Sequence, residues 1–536
     1  MDNNNMIGTG LPNQQALVSA PKISDLAAQE AKMNEMRKKE KRFHTFGAGC
    51  FLYALFYTFC LYHNASGITY PFFAGGTLWF FGCFIKKSGN SSADAKDNHT
   101  AEHINSKFLM AAILVAGALN CTTDSGVLIF FNKLLMFVLL SVLLLQSVHN
   151  LTGWKITAYI KGTACMLFGG ICRVFAPIED LLAVKYQKRA SNGKNKNNDR
   201  NKRILCSVGI GLVISMPIVM LLLILLGSAD AVFYKLMCDT LSFCTDFNVA
   251  EGVWKAFRVA LWAAAAFAVS YGILAYNTDA KNIKKIDDMA KTEKINWDVY
   301  IAITVNLIIC VIYVIFSGVQ IFGLFLRQMS LPEGYTYASY ARHGFFELVF
   351  VCLFNIILVL YTLAYFQSSK LLRTLLTMIC GCTYIMTISS AYRMLLYIAS
   401  YQLTFLRLFV LWALLMITIV MGGVTAYIYN TNFSLFRYML MVLTVGWLVF
   451  SALHPDYWIA GCNIKAGENG AAFDHYYLRK ELSLDAVAAL PPEFYRDEDS
   501  GYYRRAEQYQ DNLDEFLGIR KFNVSRAYAS DKIGIK

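Results

Sequence analysis

Two arrangements in this chain place residues where chemistry could occur. The first is His99-Thr-Ala-Glu-His103, which has the His-x-x-Glu-His spacing of a zinc peptidase. Two His four apart on a helix could hold zinc, with Glu102 as base. The surrounding loop is short and polar, and no third ligand is evident, so a solvated loop is the better reading and no metal site is assigned. The second is a set of charges inside or beside long apolar stretches: Lys133, Asp230, Lys255, Arg258, Arg327, Arg342, Glu347, Arg393 and Arg407. Charges at membrane depth are costly and tend to pair or to mark function. His343 and Glu347 share a helix face with Tyr340, and Ser389, Arg393 and Tyr397 share another. The simpler account of this set is snorkelling residues and structural ion pairs. The sharper one is an outward-facing basic pocket for an anionic lipid or solute, formed from Arg342, Glu347, Arg393, Tyr397, Arg407, Lys133, Arg258 and Asp230, because bases outnumber acids.

These residues must be carried by membrane-crossing helices. The chain has 536 residues, 56% hydrophobic and only 16% charged, where soluble domains carry roughly 25% charged residues. A spanning helix needs about 20 mostly apolar residues. Some eleven such stretches lie between residues 46 and 453, among them 205–226, 253–276, 300–325, 345–366 and 408–429. The expected fold is an all-α polytopic transmembrane bundle of about eleven spans with a small helical C-terminal module. Continuous apolar runs argue against a transmembrane β-barrel. No cleavable signal peptide is expected, since residues 1–42 are polar.

The net charge of +12 sits in particular loops, which reads as topology and not as nucleic-acid binding. A disordered basic tail (1–43) precedes a four-span unit (44–148). Then come a basic amphipathic linker (149–203), a seven-span core (204–453) and a polar module (454–536). Loops 86–107, 149–203 and 277–297 are lysine-rich and are expected in the cytoplasm. Loops 63–67, 120–125 and 228–252 are poor in basic residues and are expected outside. The segment 156–178 is short and interrupted by Lys161 and Arg173, so it is read as an interfacial helix. If it spanned, the lysine-rich loop 277–297 would move outside. The module carries 11 Lys and Arg against 14 Asp and Glu, unlike the rest of the chain.

Most of the fourteen cysteines lie in apolar stretches, where they act as small hydrophobes. There is no Cys-x-x-Cys pair. Cys238 and Cys244 share one loop and could bridge if it is external. No phosphate-binding glycine loop and no nucleophile elbow is present, and no cofactor is expected.

Several motifs resemble a bacterial membrane family, the domain-of-unknown-function 4173 family, related to the 4153 family. Tyr337-Ala-Ser-Tyr-Ala-Arg-His-Gly-Phe-Phe-Glu-Leu348 is similar to its Tyr-Ala-x-Tyr-Ala-Arg-x-Gly-Phe-Phe-Glu-Leu signature. Tyr392-Arg-Met-Leu-Leu-Tyr397, followed by Leu403, Thr404 and Arg407, resembles a second motif, with Gln402 where the family usually has Gly. Leu226-Gly-Ser-Ala-Asp-Ala-Val-Phe233 resembles a third. In the module, Asp456, Ile459, Ala460 and Asn463 resemble an Asp-x-x-Ile-Ala-x-x-Asn motif, with His454 where the family usually has Asn. Phe522-Asn-Val-Ser-Arg-Ala527 resembles a closing motif. The resemblance covers about residues 108–530. It implies a multi-spanning bacterial membrane protein with an extramembrane C-terminal module, and no activity.

Three functional classes remain. One is a non-enzymatic cell-envelope sensor, scaffold or assembly factor whose module meets a protein partner. Another is a transporter or flippase for an anionic or lipid-linked solute, though no internal repeat of the transporter kind is evident. The third is a membrane-embedded transferase using Glu347 or Asp230 as base, for which the set is short of carboxylates. The first is favoured.

The loop charges predict orientation. A reporter fused after Lys536 should be active outside the cell, and one inserted at Asp199 should be active inside. A cytoplasmic signal from the C-terminal fusion would overturn the span count.

Overall fold

The computed structural model describes residues 23–64, 66–88, 104–149, 151, 154–191, 226, 235, 251–290, 297–322, 345–470, 474–515 and 517–535. The His99–His103 motif, the span 205–226 (apart from Leu226), Asp230, Cys238, Cys244, Arg327 and Arg342 lie outside these residues, as do Tyr340 and His343. Among the described residues the chain is helical, with a single β-bridge, Trp297 to Phe366.

The described helices are α1 (Ile23–Leu61), α2 (Thr69–Ser88), α3 (Ser106–Thr122), α4 (Gly126–Val148), α5 (Ile156–Cys172) and the polar α6 (Ala176–Ser191). They continue as α7 (Glu251–Asn277), α8 (Ala280–Ala290), α9 (Val299–Ile321), α10 (Phe345–Tyr365), α11 (Lys370–Tyr401), α12 (Phe405–Tyr429) and α13 (Leu435–Ala452). Among the described residues eight helices are long and apolar enough to cross a membrane, and α3 and α5 are shorter apolar helices. Side-chain caps open several of them: Asn105 accepts from the Lys107 N–H, Asp298 from Tyr300 and Ser369 from Leu372. Only 17% of the apolar window of α9 is buried. Its exposed Ile308, Val311 and Ile315 would be untenable in water over such an area, and suit contact with lipid. The protein is an integral membrane protein built as an all-α helix bundle.

The chain divides into two compact units. In the smaller (Met1–Ala48 with Phe175–Asn248), the start of α1 is tied to α6. Arg42 makes a two-pronged contact with buried Asp180, at 2.6 and 2.7 Å, and Lys39 reaches Glu179 at 3.4 Å.

The larger unit (Gly49–Val174 with Val249–Lys536) holds most of the bundle. One core joins α9, α10, α11 and α12 around Cys352, Val359, Leu376, Ile379 and Val424. Lipid gives helices no hydrophobic reason to associate, so hydrogen bonds and close packing must hold them. Tyr313 donates to Asn355 Oδ1 at 2.7 Å and Asn355 Nδ2 donates to Thr383 at 2.8 Å, linking α9, α10 and α11. A second core joins α2, α3 and α4 and takes in Phe436, Leu440 and Leu448 of α13. Trp447 donates to Asn132 Oδ1 at 2.8 Å, and Asn132 Nδ2 donates to Ser451 at 3.0 Å. The last long helix thus packs on the first helices of the chain.

Contacts at the helix ends sort the loops into two sets. At one end, α5 lies across the finish of α4, the finish of α7 and the start of α13. Its Gly162 faces Leu145, its Gly170 faces Ile273, and Tyr159 stacks on Phe436 with centroids 3.9 Å apart. Arg173 pairs with Asp279 at 3.2 Å. The amphipathic α8 folds back along α5, burying Ile286. At the other end, the α1–α2, α3–α4 and α11–α12 connections meet residues 454–535.

A glycine pair decides how α5 meets α7. A Cβ on Gly272 would lie 2.6 Å from the Gly170 carbonyl oxygen and 2.9 Å from that of Arg173, both rigid backbone atoms. Gly272→Ala should therefore destabilise the detergent-solubilised protein by about 1–3 kcal/mol through overpacking. Gly381→Ala, where nothing lies within 4 Å, should leave the melting temperature unchanged or higher. Equal melting of the two variants would show that the crossing is not close.

Candidate functional site

The seam between the bundle and its C-terminal module is the most polar buried region of the described chain. The module consists of α14 (Pro455–Glu468), a π-helical turn Tyr477–Glu481, a 3-10 turn Leu484–Ala488, α15 (Pro492–Tyr495), α16 (Gly501–Asp514), a second 3-10 turn Gly518–Lys521 and α17 (Val524–Ile533). It has its own core of Ile459, Leu478, Leu484, Val487, Phe494, Tyr502 and Ala529. Leu403, Phe405 and Leu408 from the α11–α12 connection pack against that core.

Two aspartates clasp across the seam. Asp485 of the module accepts from Thr123 Oγ1 at 2.5 Å, from the Asp124 N–H at 2.8 Å, from His454 Nδ1 at 3.2 Å and from the Ser525 hydroxyl. Asp124 of the α3–α4 connection returns the contact. It accepts from the Leu484 N–H at 3.1 Å and from Arg526 Nε at 2.6 Å, with Arg505 at 4.0 Å. Each carboxylate thus satisfies the backbone donor beside the other, which a buried charge requires. Asp124 and Asp485 also sit at the starts of the 3-10 turn and of α4, where free N–H groups favour negative charge.

Amides complete the seam. Asn523 Nδ2 donates to the carbonyls of Ser66 and Thr123 at 2.9 Å and of Asn120 at 3.4 Å, while its Oδ1 caps α17 at Arg526. Asn463 brackets Leu403, accepting its N–H at 3.0 Å and donating to its carbonyl at 2.9 Å. Asp456 accepts from the N–H of Ser483 at 3.1 Å and its hydroxyl at 2.5 Å. Arg520 donates to the Phe59 carbonyl at 2.6 Å. The motif residues Asn463, Asn523 and Arg526 thus dock the module on the bundle, while Asp456 and Ser525 bond within the module, to Ser483 and Asp485.

Six of the eight residues of the expected anion pocket fall among the described residues, and of these Arg407 and Tyr397 are in contact. Asp230 and Arg342 fall outside the described residues. Arg393 donates to Gln320 Oε1 at 2.9 Å, and Ser389 donates to the same oxygen at 2.7 Å, tying α11 to α9. Arg407 lies over the Tyr397 ring at 4.1 Å and donates to the carbonyls of Tyr401 and Gln402, closing the end of α11. Lys133 lies over Tyr70 at 5.1 Å. Arg258 and Glu347 are exposed, and among the described residues no ion pair joins Glu347 to Arg393 or Arg407. Among the described residues no group of three His, Cys, Asp or Glu side chains could hold a metal.

The two departures from the family-like motifs fall at strained backbone. Gln402 has φ 66° and His454 has φ 47°, a region that Gly, or Asn among the others, adopts most readily. His454 compensates through its bond to Asp485.

That bond makes docking pH-dependent. The hydrogen bond from Asp485, with the charge of Asp485 and Asp456 behind it, raises the His454 pKa against its burial. Burial pushes Asp456 up to about 6, against the Ser483 hydrogen bonds. Burial also acts to raise Asp485, but donors from His454, Ser525, Thr123 and the Asp124 backbone hold it below the usual carboxylate range. Stability from His454 is complete below its unfolded pKa near 6.5 and is lost as pH rises through the higher folded value. Ionising Asp456 costs stability across the window from 3.8 to about 6. The Asp485 contribution is lost only as pH falls below the ordinary carboxylate range. Melting in detergent should thus occur a few degrees higher near pH 6 than at pH 8. His454→Asn should flatten that slope. An unchanged slope in His454→Asn would remove the imidazole from the account.

No curated protein and no solved structure matches this chain. Residues 109–491 match the model of a family described as a domain of unknown function (DUF4153). The matched stretch begins within α3, leaves out α1 and α2, continues through the Asp485 turn, and stops short of the segment containing Asn523 and Arg526. Extending over well more than half of the sequence, that match establishes that the chain belongs to the domain-of-unknown-function 4153 family.

Proposed function

We propose that this protein is a non-enzymatic scaffold or assembly factor of the cell envelope, with its N-terminus in the cytoplasm and its C-terminal module held rigidly on the outer face to meet a protein partner. The observation that carries this reading is the seam. Asp124, Asp485, Asn463, Asn523 and Arg526 bind the module to three separate loops. Their polar groups serve position, and none is left aimed into a pocket. The orientation rests on the loop charges, since the lysine-rich end of the bundle lies opposite the module. The motifs around Tyr337 and Tyr392 support the narrower kinship with the 4173 family.

The competing reading is transport of an anionic solute past Arg393 and Arg407, and the two make opposite demands. A deletion strain should be complemented by Arg393→Gln, which keeps a hydrogen-bonding side chain beside Gln320. It should not be complemented by Asn523→Ala, which strips donors from the Ser66, Asn120 and Thr123 carbonyls at a cost of about 1–3 kcal/mol. Protein levels in the membrane and proteolysis of the module report folding separately. Loss of complementation in a well-expressed Arg393→Gln variant, with Asn523→Ala still active, would favour transport and sink the scaffold reading.

A further inference from the structure

The helix α8 joins the finish of α7 to the end of the bundle opposite the module, and its residues divide sharply by face. Ile286 is buried against Tyr159 and Met166 of α5. His149 Nδ1 donates to Asp287 Oδ1 at 2.9 Å. Asp279, just before the helix, pairs with Arg173 and caps the Lys281 N–H. Asn282 donates to the Tyr276 carbonyl at 3.2 Å. Two of the nearby carboxylates are thus committed to holding α8 in place.

The opposite face presents Lys281, Lys284 and Lys285, three and four residues apart and all exposed. With Asp288 and Met289 they line an open depression of about 560 Å³. Three ammonium groups stand against one carboxylate, and among the described residues none of the three lysines has an ion-pair partner. Three like charges within two turns repel one another, and an anion meeting them would relieve that repulsion.

The surroundings say which anion. Lys161 of α5 lines the adjoining seam with Ile286 and Met289. Beside it, the same helix exposes Ile160, Phe168 and Ile171. The long apolar helices α4 and α7 finish at this level, so the lysines stand where a hydrocarbon layer gives way to headgroups. A soluble anion has no use for the neighbouring apolar side chains, whereas a phospholipid presents acyl chain and phosphate together. We propose that the Lys281–Lys284–Lys285 face of α8 binds the phosphate headgroup of an anionic phospholipid, with its acyl chains along the exposed face of α5. Bound there, the lipid brackets α5 and α8 and holds the unpaired lysines in register with the leaflet.

Native mass spectrometry of the full-length protein, titrated in detergent with phosphatidylglycerol or with phosphatidylcholine of the same chain length, tests this. The wild type should retain phosphatidylglycerol in preference. Lys281→Gln/Lys284→Gln/Lys285→Gln should lose affinity for it by roughly 100-fold, on the basis of about fivefold for each lysine at a membrane surface. The corresponding triple Arg variant should keep it. Arg496→Gln/Arg504→Gln, on the surface of the distant module, should bind as the wild type. Lys284→Gln alone, with an expected loss of roughly fivefold, serves if the triple variant does not fold. Undiminished binding by a folded Gln variant, or equal retention of both lipids by the wild type, overturns the proposal. Displacement of the lipid by inorganic phosphate as readily as by short-chain phosphatidylglycerol would also overturn it, by assigning the site to a free anion.

Discussion

A carboxylate taken out of water must be met by donors arranged beforehand, and the exchange between Asp124 and Asp485 is where this protein meets that demand. Asp485 receives four donors and Asp124 three cationic or backbone ones, drawn from segments 361 residues apart. Removing any partner would leave charge buried without compensation, so the clasp has a narrow geometric tolerance. That tolerance fixes the 3-10 turn at Leu484, the start of α4 and the start of α17 relative to one another. The module's apolar core then continues into Leu403, Phe405 and Leu408, making module and bundle end one folded body.

Within the bundle the same logic operates with neutral groups. Asn132, Asn355 and Gln320 each join two or more helices by side-chain hydrogen bonds. Glycines at 170 and 272 let α5 and α7 approach to backbone contact. Apolar side chains, free to face either lipid or protein, could not choose among helix neighbours so sharply. Two arginines make such bonds as well: Arg393 bonds Gln320, and Arg407 closes the last turn of α11 over Tyr397.

The left-handed residues show what such specificity costs. His63, Gln402, His454 and Leu517 are the non-glycine residues with positive φ among those described, and all four lie in connections at the module end. Strain of this kind persists only where neighbouring contacts over-determine the backbone. Here the bond from His454 to Asp485 and the bracketing of Leu403 by Asn463 supply those contacts.

The amino-acid sequence by itself determined the class, an all-α polytopic membrane protein. That property follows from a local quantity, the length of an apolar run against the thickness of a bilayer. The sequence also marked Asp456, Asn463 and Asn523 as motif positions without saying what they do. The clasp itself was not legible. Asp124 is one acid in a short loop and Asp485 one of fourteen in the module, and nothing in either neighbourhood pairs them. The packing of α13 on α3 and α4 was equally hidden, because every span is apolar and lipid makes no distinction among apolar faces. Tertiary structure decided these matters, since partners for buried polar groups are chosen by geometry between distant segments, whereas hydropathy is a property of each segment alone.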